Sequence, residues 1–332
     1  MVAAITALIE KVQPDITVVL GDIDHTHEKL GLYEHRRSID GLRAWRAVSK
    51  RFVVMIGNHD RPHNNVYMTE EHSFNALKEW PKTTVVDKTT TMTLELPEGD
   101  AKAATYRFAF VPYVPTDRFA EALEAGDLKA PYSDLTAIFA HQEFKGAKMN
   151  PTKPDAGDPW PLECPICISG HEHNYKDIQP NLIYVGTPIA HGFGDTSEKT
   201  VSVFTFSADT PKEESKDGRT LYSWKQVRHS LGLPRKIQVT KTVEEMRTYV
   251  PPPGCHVRIR VTGSATAIKE LFKLEHIQTM LAQPHLKIVP VTTPEVFAAL
   301  PVSANVSFQA RLAEAIAGET LGVQQAYKQL WA

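Results

Sequence analysis

The chain has 332 residues, 42% of them hydrophobic and 23% charged, the balance of a globular protein with room for one large and one small domain. No apolar run is long enough to span a bilayer and no basic segment precedes an apolar signal core, so a soluble cytoplasmic protein is predicted. Three cysteines argue against a disulfide framework, and the lone pair Cys164/Cys167 reads as small buried residues rather than half of a zinc site.

The formal charge of −2 is uneven. Residues 208–332 carry 16 Lys and Arg against 11 Asp and Glu, whereas residues 1–207 carry 21 against 28. Within 218–260 there are nine basic residues and two acidic ones. That stretch suits a phosphate backbone, with Arg228, Arg235 and Lys236 as candidate substrate contacts, and it equally suits a solvated linker face.

In chain order, Ile5, Leu8, Ile9 and Val12 follow helical spacing and predict an amphipathic helix. Ile16 to Leu20 then reads as a buried strand that stops at Gly21-Asp22, with His25 just beyond. A second helix is predicted over Arg36 to Lys50, with Ile39, Leu42, Trp45 and Ala47-Val48 on its inner face. Phe52 to Ile56 is a continuous apolar strand running into Gly57-Asn58-His59-Asp60. A short helix over 69–79 precedes two stretches, 83–96 and 105–111, read as antiparallel strands joined by a turn at 97–100. A helix over about 116–125 follows.

Leu135 to Ala140 is a third buried strand, ending in His141, and a proline-rich loop occupies 150–161. Ile166 to Ser169 runs into Gly170-His171-Glu172-His173, and Leu182 to Val185 into Gly186-Thr187-Pro188, with His191 close behind. Val201 to Phe206 closes this part. After an aperiodic loop at 208–222, a strand at 256–261, a helix across 264–281 and a strand at 286–289 predict a small β-α-β unit. The last segment, 303–330, is expected to be mostly helical, with Phe308, Leu312, Ile316, Val323, Ala326 and Leu330 on one stripe.

Five strands thus end in Asp22/His25, Asn58/His59, His141, His171/His173 and Thr187/His191. Alone, each is an ordinary turn. Brought to one rim of a sheet, imidazoles, a carboxylate and an amide suit Mn²⁺, Fe²⁺ or Zn²⁺, whereas Mg²⁺ and Ca²⁺ prefer all-oxygen shells. Two such cations bridged by a carboxylate are apparatus for attack on a phosphate ester.

Gly21-Asp22-x-x-His25, Gly57-Asn58-His59-Asp60, His141 and Gly170-His171-x-His173 resemble, in residues and order, the motifs of the calcineurin-like metallophosphoesterases. Within that superfamily, the Gly-Thr-Pro after the His-x-His strand and the small C-terminal unit look most like the Mre11/SbcD nucleases and their phage recombination-nuclease relatives. The resemblance implies an α/β fold, a β-sandwich flanked by helices in an α/β/β/α arrangement with a small C-terminal α/β domain. The expected boundaries are 1–207 for the nuclease domain, 208–250 for a basic linker, 251–298 for a capping-like domain and 299–332 for a partner-docking helix.

It further implies two divalent ions, expected to be Mn²⁺. Asp22 would bridge them, with Asn58, His141 and His171 completing one site and His173 serving the other. His59 would be the cation or proton donor at the scissile phosphate and His25 a second catalytic histidine. The implied partners are DNA and an SbcC/Rad50-like coiled-coil ATPase, with a homodimer left open. Other readings are a small-molecule or protein phosphoesterase and a metal-depleted binding subunit.

One departure bears on the second ion. The family opens with a strand carrying Asp-x-His, and none lies upstream of Asp22. Translation from an upstream start, adding roughly 10–25 residues, is therefore expected; the alternatives are a mononuclear site, or ligands taken from Asp24, His27 or His191.

Overall fold

A computed structural model of the chain describes residues 1–25, 27, 29–96, 103–147, 156–195, 198–210, 221–293, 308–318, 322–323 and 325. The fold is mixed α/β and divides into two units. One comprises Met1–Val239, Val250–Ile259 and Gln283–Ile288, the other Thr240–Tyr249, Arg260–Ala282 and Val289–Ala332.

The first unit opens with α1 (Val2–Val12), β1 (Thr17–Val19), α2 (Leu32–Val48), β2 (Phe52–Met55), a 3₁₀ turn at Asn75–Glu79 and β3 (Thr83–Val86). These three strands form a parallel sheet in the order β1-β2-β3. Next come β4 (Thr90–Leu96), β5 (Ala104–Val111), α3 (Phe119–Ala125), β6 (Ala137–Ala140), β7 (Cys167–Ser169), β8 (Lys176–Gln179) and β9 (Leu182–Tyr184). They make a six-stranded sheet in the order β4-β5-β6-β7-β9-β8, parallel through β5, β6, β7 and β9 and antiparallel at both edges.

Successive strand residues face opposite ways, which sorts the apolar side chains into three layers. Phe52, Val54 and Ile56 pack with Leu42 of α2 and with Leu77. Val53 and Met55 share a second cluster with Tyr106, Phe108, Phe110, Ile168 and Ile183 of the larger sheet. On the other side of that sheet, Ala109, Val111, Ile138, Cys167 and Tyr184 pack with Phe119, Ala122 and Leu123 of α3. Cys164 and Cys167 are free and buried, as expected.

Several expectations change. The strand at Asp22 is half-buried, because among the described residues β1 pairs with β2 alone. Helix α2 starts four residues early, leaving Leu32 and Tyr33 exposed, and Ala47 faces solvent. The 69–79 helix shrinks to Asn75–Glu79; upstream, the Thr69 hydroxyl accepts the Glu71 N–H and diverts the backbone from a helical pattern. The 83–96 stretch is two strands in different sheets, broken where buried Asp87 pairs with His72 and Lys78. β8 was not anticipated.

The expected boundary at 207 falls within β10 (Thr200–Thr210), which pairs antiparallel with β11 (Leu221–Ser230). The basic stretch is therefore largely strand, continuing in β12 (Arg235–Thr242). β12, β13 (Cys255–Gly263) and β14 (Leu286–Thr292) form a three-stranded sheet. On β13 the buried Val257, Ile259 and Val261 alternate with more exposed residues.

In the second unit, α4 (Val243–Met246) starts at a Thr242/Glu245 capping box, and the expected 264–281 helix is two, α5 (Ala265–Leu271) and α6 (Glu275–Leu281). Of the C-terminal helix, Phe308–Ala317 is described as α7. Ala326 and Leu330 lie outside the described residues, as do the 97–100 turn, most of the 208–222 loop and part of 150–161. No helix among the described residues is long and apolar enough to cross a membrane.

Phe110 is fully buried in the cluster that the two sheets of the first unit share. Phe110→Ala is expected to destabilise that unit by about 3–5 kcal/mol. Urea unfolding followed by tryptophan fluorescence measures it.

Candidate metal centre

The site residues leave the C-terminal ends of strands in both sheets, not of one sheet as the sequence reading supposed: β1 and β2 from the smaller, β6, β7 and β9 from the larger. Two glycines set how closely these ends meet. Gly21 has φ +93°, and a Cβ there would lie 2.6 Å from His141 Nδ1. A Cβ on Gly57 would lie 2.2 Å from Asp22 Oδ1. Asp22 and His171 themselves adopt left-handed φ of 53° and 73°, which a side-chain-bearing residue keeps only where its surroundings enforce it.

Four of the predicted ligands converge. His141 Nε2 lies 3.2 Å from Asp22 Oδ2 and 3.2 Å from Asn58 Oδ1. His171 Nδ1 lies 2.9 Å from Asn58 Oδ1 and 3.3 Å from His141 Nε2. Two of the donors are held from behind. His141 Nδ1–H donates to the Leu20 carbonyl at 2.5 Å, the back-bond that orients a ligating imidazole. Asn58 Nδ2 reaches Asn64 Oδ1 at 3.4 Å, which turns Asn58 Oδ1 toward the histidines.

With its Nδ1 proton committed, neutral His141 aims an Nε2 lone pair at two oxygens. Only a positive species between them, a proton or a metal cation, makes that arrangement favourable. Among the described residues, Asp22, His141 and His171 are the one group of three acidic, His or Cys side chains placed to hold a metal ion.

The electrostatics agree. Burial raises the Asp22 carboxyl, but the charge and hydrogen bond of His141 and the His59 N–H outweigh it and hold Asp22 well below the usual carboxylate range. Burial lowers His141, yet the Asp22 charge more than offsets this and its pKa rises. His171, pushed down to about 3 by burial and by His141, stays neutral, with one ring nitrogen able to ligate.

Around this group, the His59 N–H donates to Asp22 Oδ1 at 2.9 Å, and its Nδ1–H donates to the His25 carbonyl at 3.0 Å. The His59 ring is stacked between those of His25, 5.3 Å away, and His27, 4.8 Å away. His173, expected beside Asp22, instead pairs with His191, ring centroids 4.8 Å apart. Lys236 Nζ donates to the His191 carbonyl at 2.8 Å, Arg235 is exposed, and Arg228 lies over the Tyr175 ring at 3.8 Å.

Two contributors were missed. The buried Asp60 carboxylate accepts the N–H groups of Asp22, Ile23, Asp24 and Gly57 at 2.8–3.1 Å. Its place in Gly-Asn-His-Asp was the available signal. Arg61, 1% exposed, donates through Nη1 to the carbonyl of Tyr113, whose ring lies 5.9 Å from that of His171.

No family model matches the chain. A protein of Invertebrate iridescent virus 6 named "Putative phosphoesterase 244L" is 31% identical over 261 residues, 78% of this chain and 86% of that protein. The chain belongs to this phosphoesterase family. Its namesake 078R of Invertebrate iridescent virus 3 is 34% identical over 201 residues, 60% of this chain and 55% of that protein. Phosphoester hydrolysis is the activity that this phosphoesterase's relatives are named for, and a cluster of metal-ligand type sits at its strand ends.

The His171 shift has a measurable sign. Its folded pKa of about 3 lies below the ordinary histidine value of 6.5, so between these values the unfolded chain binds the extra proton and stability rises with pH. The metal-free protein, held in EDTA, is expected to lose stability as pH falls from 7 to 5, and His171→Gln to flatten that loss. Urea midpoints at both pH values provide the check.

Proposed function

We propose that the chain is a metal-dependent phosphodiesterase acting on nucleic acid, a nuclease of the calcineurin-like superfamily. The observation that carries this reading is the convergence of Asp22, Asn58, His141 and His171, with His59 bonded to Asp22. The apolar cluster shared by the two sheets supports the layered sandwich of that superfamily.

The donor set fits a cation with mixed nitrogen and oxygen ligands, Mn²⁺ before Mg²⁺. Asp22, Asn58, His141 and His171 would hold one ion; His173, with His191 beside it, would serve a second. Such ions supply Lewis-acid polarisation of a phosphoryl oxygen and activation of water.

The protein's own groups do the rest. Asp22 stays anionic across physiological pH, and His171 stays neutral. Burial lowers the His59 pKa, so the imidazole waits neutral, its Nδ1 proton tied to the His25 carbonyl and Nε2 open. An anionic ester beside it raises that pKa, and His59 can then hold a proton at Nε2 for the leaving oxygen. Stacking against His25 and His27 keeps the ring in place. Association with an SbcC/Rad50-like ATPase is part of this reading, supported by the resemblance alone.

Asp22→Asn is expected to lower bound Mn²⁺ and abolish hydrolysis of bis-p-nitrophenyl phosphate and single-stranded DNA. His59→Ala should lower turnover at least about a hundredfold with metal content kept. Metal analysis beside the two assays separates these outcomes. Hydrolysis confined to monoesters would favour the small-molecule reading.

A further inference from the structure

A cavity of the first unit is lined by side chains that the proposed chemistry does not use. This cavity of 470 Å³, within the size range of small-molecule sites, is walled by two strands whose alternate residues face it. The β8 segment contributes Tyr175, Asp177 and Gln179, and β11 contributes Trp224 and Gln226. Arg228, two positions further along the same face of β11, lies over the Tyr175 ring at 3.8 Å.

The chemistry of the walls is specific. Trp224 is 37% exposed, a large flat apolar surface left open where burial would otherwise be favourable. Tyr175 is fixed rather than adaptable: its hydroxyl donates to Asp177 Oδ1 at 2.6 Å, the Gln226 amide lies 3.0 Å away, and Arg228 is stacked on its face. One Gln226 Nε2 proton goes to Ser202, and both Gln179 Nε2 protons go to Trp160 and Asn181. The polar capacity left to a ligand is therefore mainly acceptors, the second Asp177 oxygen and Gln179 Oε1. Arg228, with its guanidinium near Thr200 and Glu198, is a quarter exposed and adds positive charge at the rim.

We propose that this cavity binds an unpaired base of a single-stranded nucleic acid, stacked on Trp224, with its amino or imino N–H groups turned to Asp177 and Gln179 and a neighbouring phosphate toward Arg228. An aromatic platform beside a basic side chain is how single strands are held without reading their sequence. A paired base cannot enter, since its faces are covered by its neighbours and its N–H groups are committed. The proposal rests on the nucleic-acid reading of the metal centre and gives it a substrate class, single-stranded rather than duplex.

The test measures fluorescence anisotropy of a fluorescein-labelled 15-nucleotide single strand of mixed sequence, in EDTA so that no cleavage occurs, and of the same sequence as a duplex. Trp224→Ala is expected to weaken single-strand binding at least about fivefold and Trp224→Phe less than twofold. Neither variant should change duplex binding or hydrolysis of bis-p-nitrophenyl phosphate, which also shows that each has folded. Unchanged single-strand affinity in Trp224→Ala overturns the assignment, as does an equal loss on the duplex. If wild type cleaves no diester with Mn²⁺, the functional reading fails, whereas the binding comparison in EDTA judges the cavity independently.

Discussion

The arrangement depends first on one buried carboxylate. Asp60 lies at the end of the Gly-Asn-His-Asp turn, yet three of the four N–H groups it accepts belong to the loop after β1. Burial and the nearby Asp22 charge push its pKa up to about 7, against the pull of the N–H donors. Four N–H groups converging on two oxygens leave no room for an amide in its place. The two loops are thereby fixed to each other before any ligand is considered, and the Asp22 side chain is presented from a backbone it would not otherwise adopt.

That clamp makes sense of the strain around it. Two non-glycine residues with left-handed backbone, Asp22 and His171, carry groups of the cluster, and glycines at 21 and 57 allow atoms to approach where a Cβ would collide. In return, four electron-rich atoms from four strand ends each lie within 3.3 Å of at least one other, with too few protons to satisfy them. In the metal-free protein, the raised His141 pKa is the cluster taking up a proton to relieve this convergence. A divalent cation would relieve it more completely, so that affinity for a metal and pre-organisation of the site would have one physical origin.

The centre was legible in the sequence because its parts are local. Each motif is an apolar strand followed by glycine and a ligand-type side chain, and strand, turn and ligand can be read from a few consecutive residues. What resisted reading was tertiary. That Asp60 grips the other loop, that Arg61 is buried under Tyr113, and that His173 faces His191 all depend on packing between distant segments. The basic stretch misled for a different reason. Its composition reads as solvated linker, yet Tyr222, Trp224, Gln226 and Arg228 alternate along β11 and point the same way, a strand signal hidden beneath the charge. Similarly, 83–96 is uniformly strand-like in residue type, and only the burial of Asp87 against His72 and Lys78 shows where one sheet gives way to the other.

The two histidine pairs differ in how they are held, and this bears on how two ions would differ. His141 and His171 follow strands β6 and β7 directly, and His141 is back-bonded to β1 through Leu20. His173 and His191 lie on loops, fixed mainly through their main chains: Thr187 and Lys199 bond the His173 carbonyl, Lys236 the His191 carbonyl, and Asp195 the His191 N–H. The imidazoles are thus placed by backbone anchors, without the ring back-bond that orients His141. Two lysine ammoniums beside them also oppose a dication while favouring an anion. Under the proposed two-ion reading, that difference in support would give a tight first ion on a rigid donor set and a weaker second one that gains its hold when a phosphate neutralises the lysines.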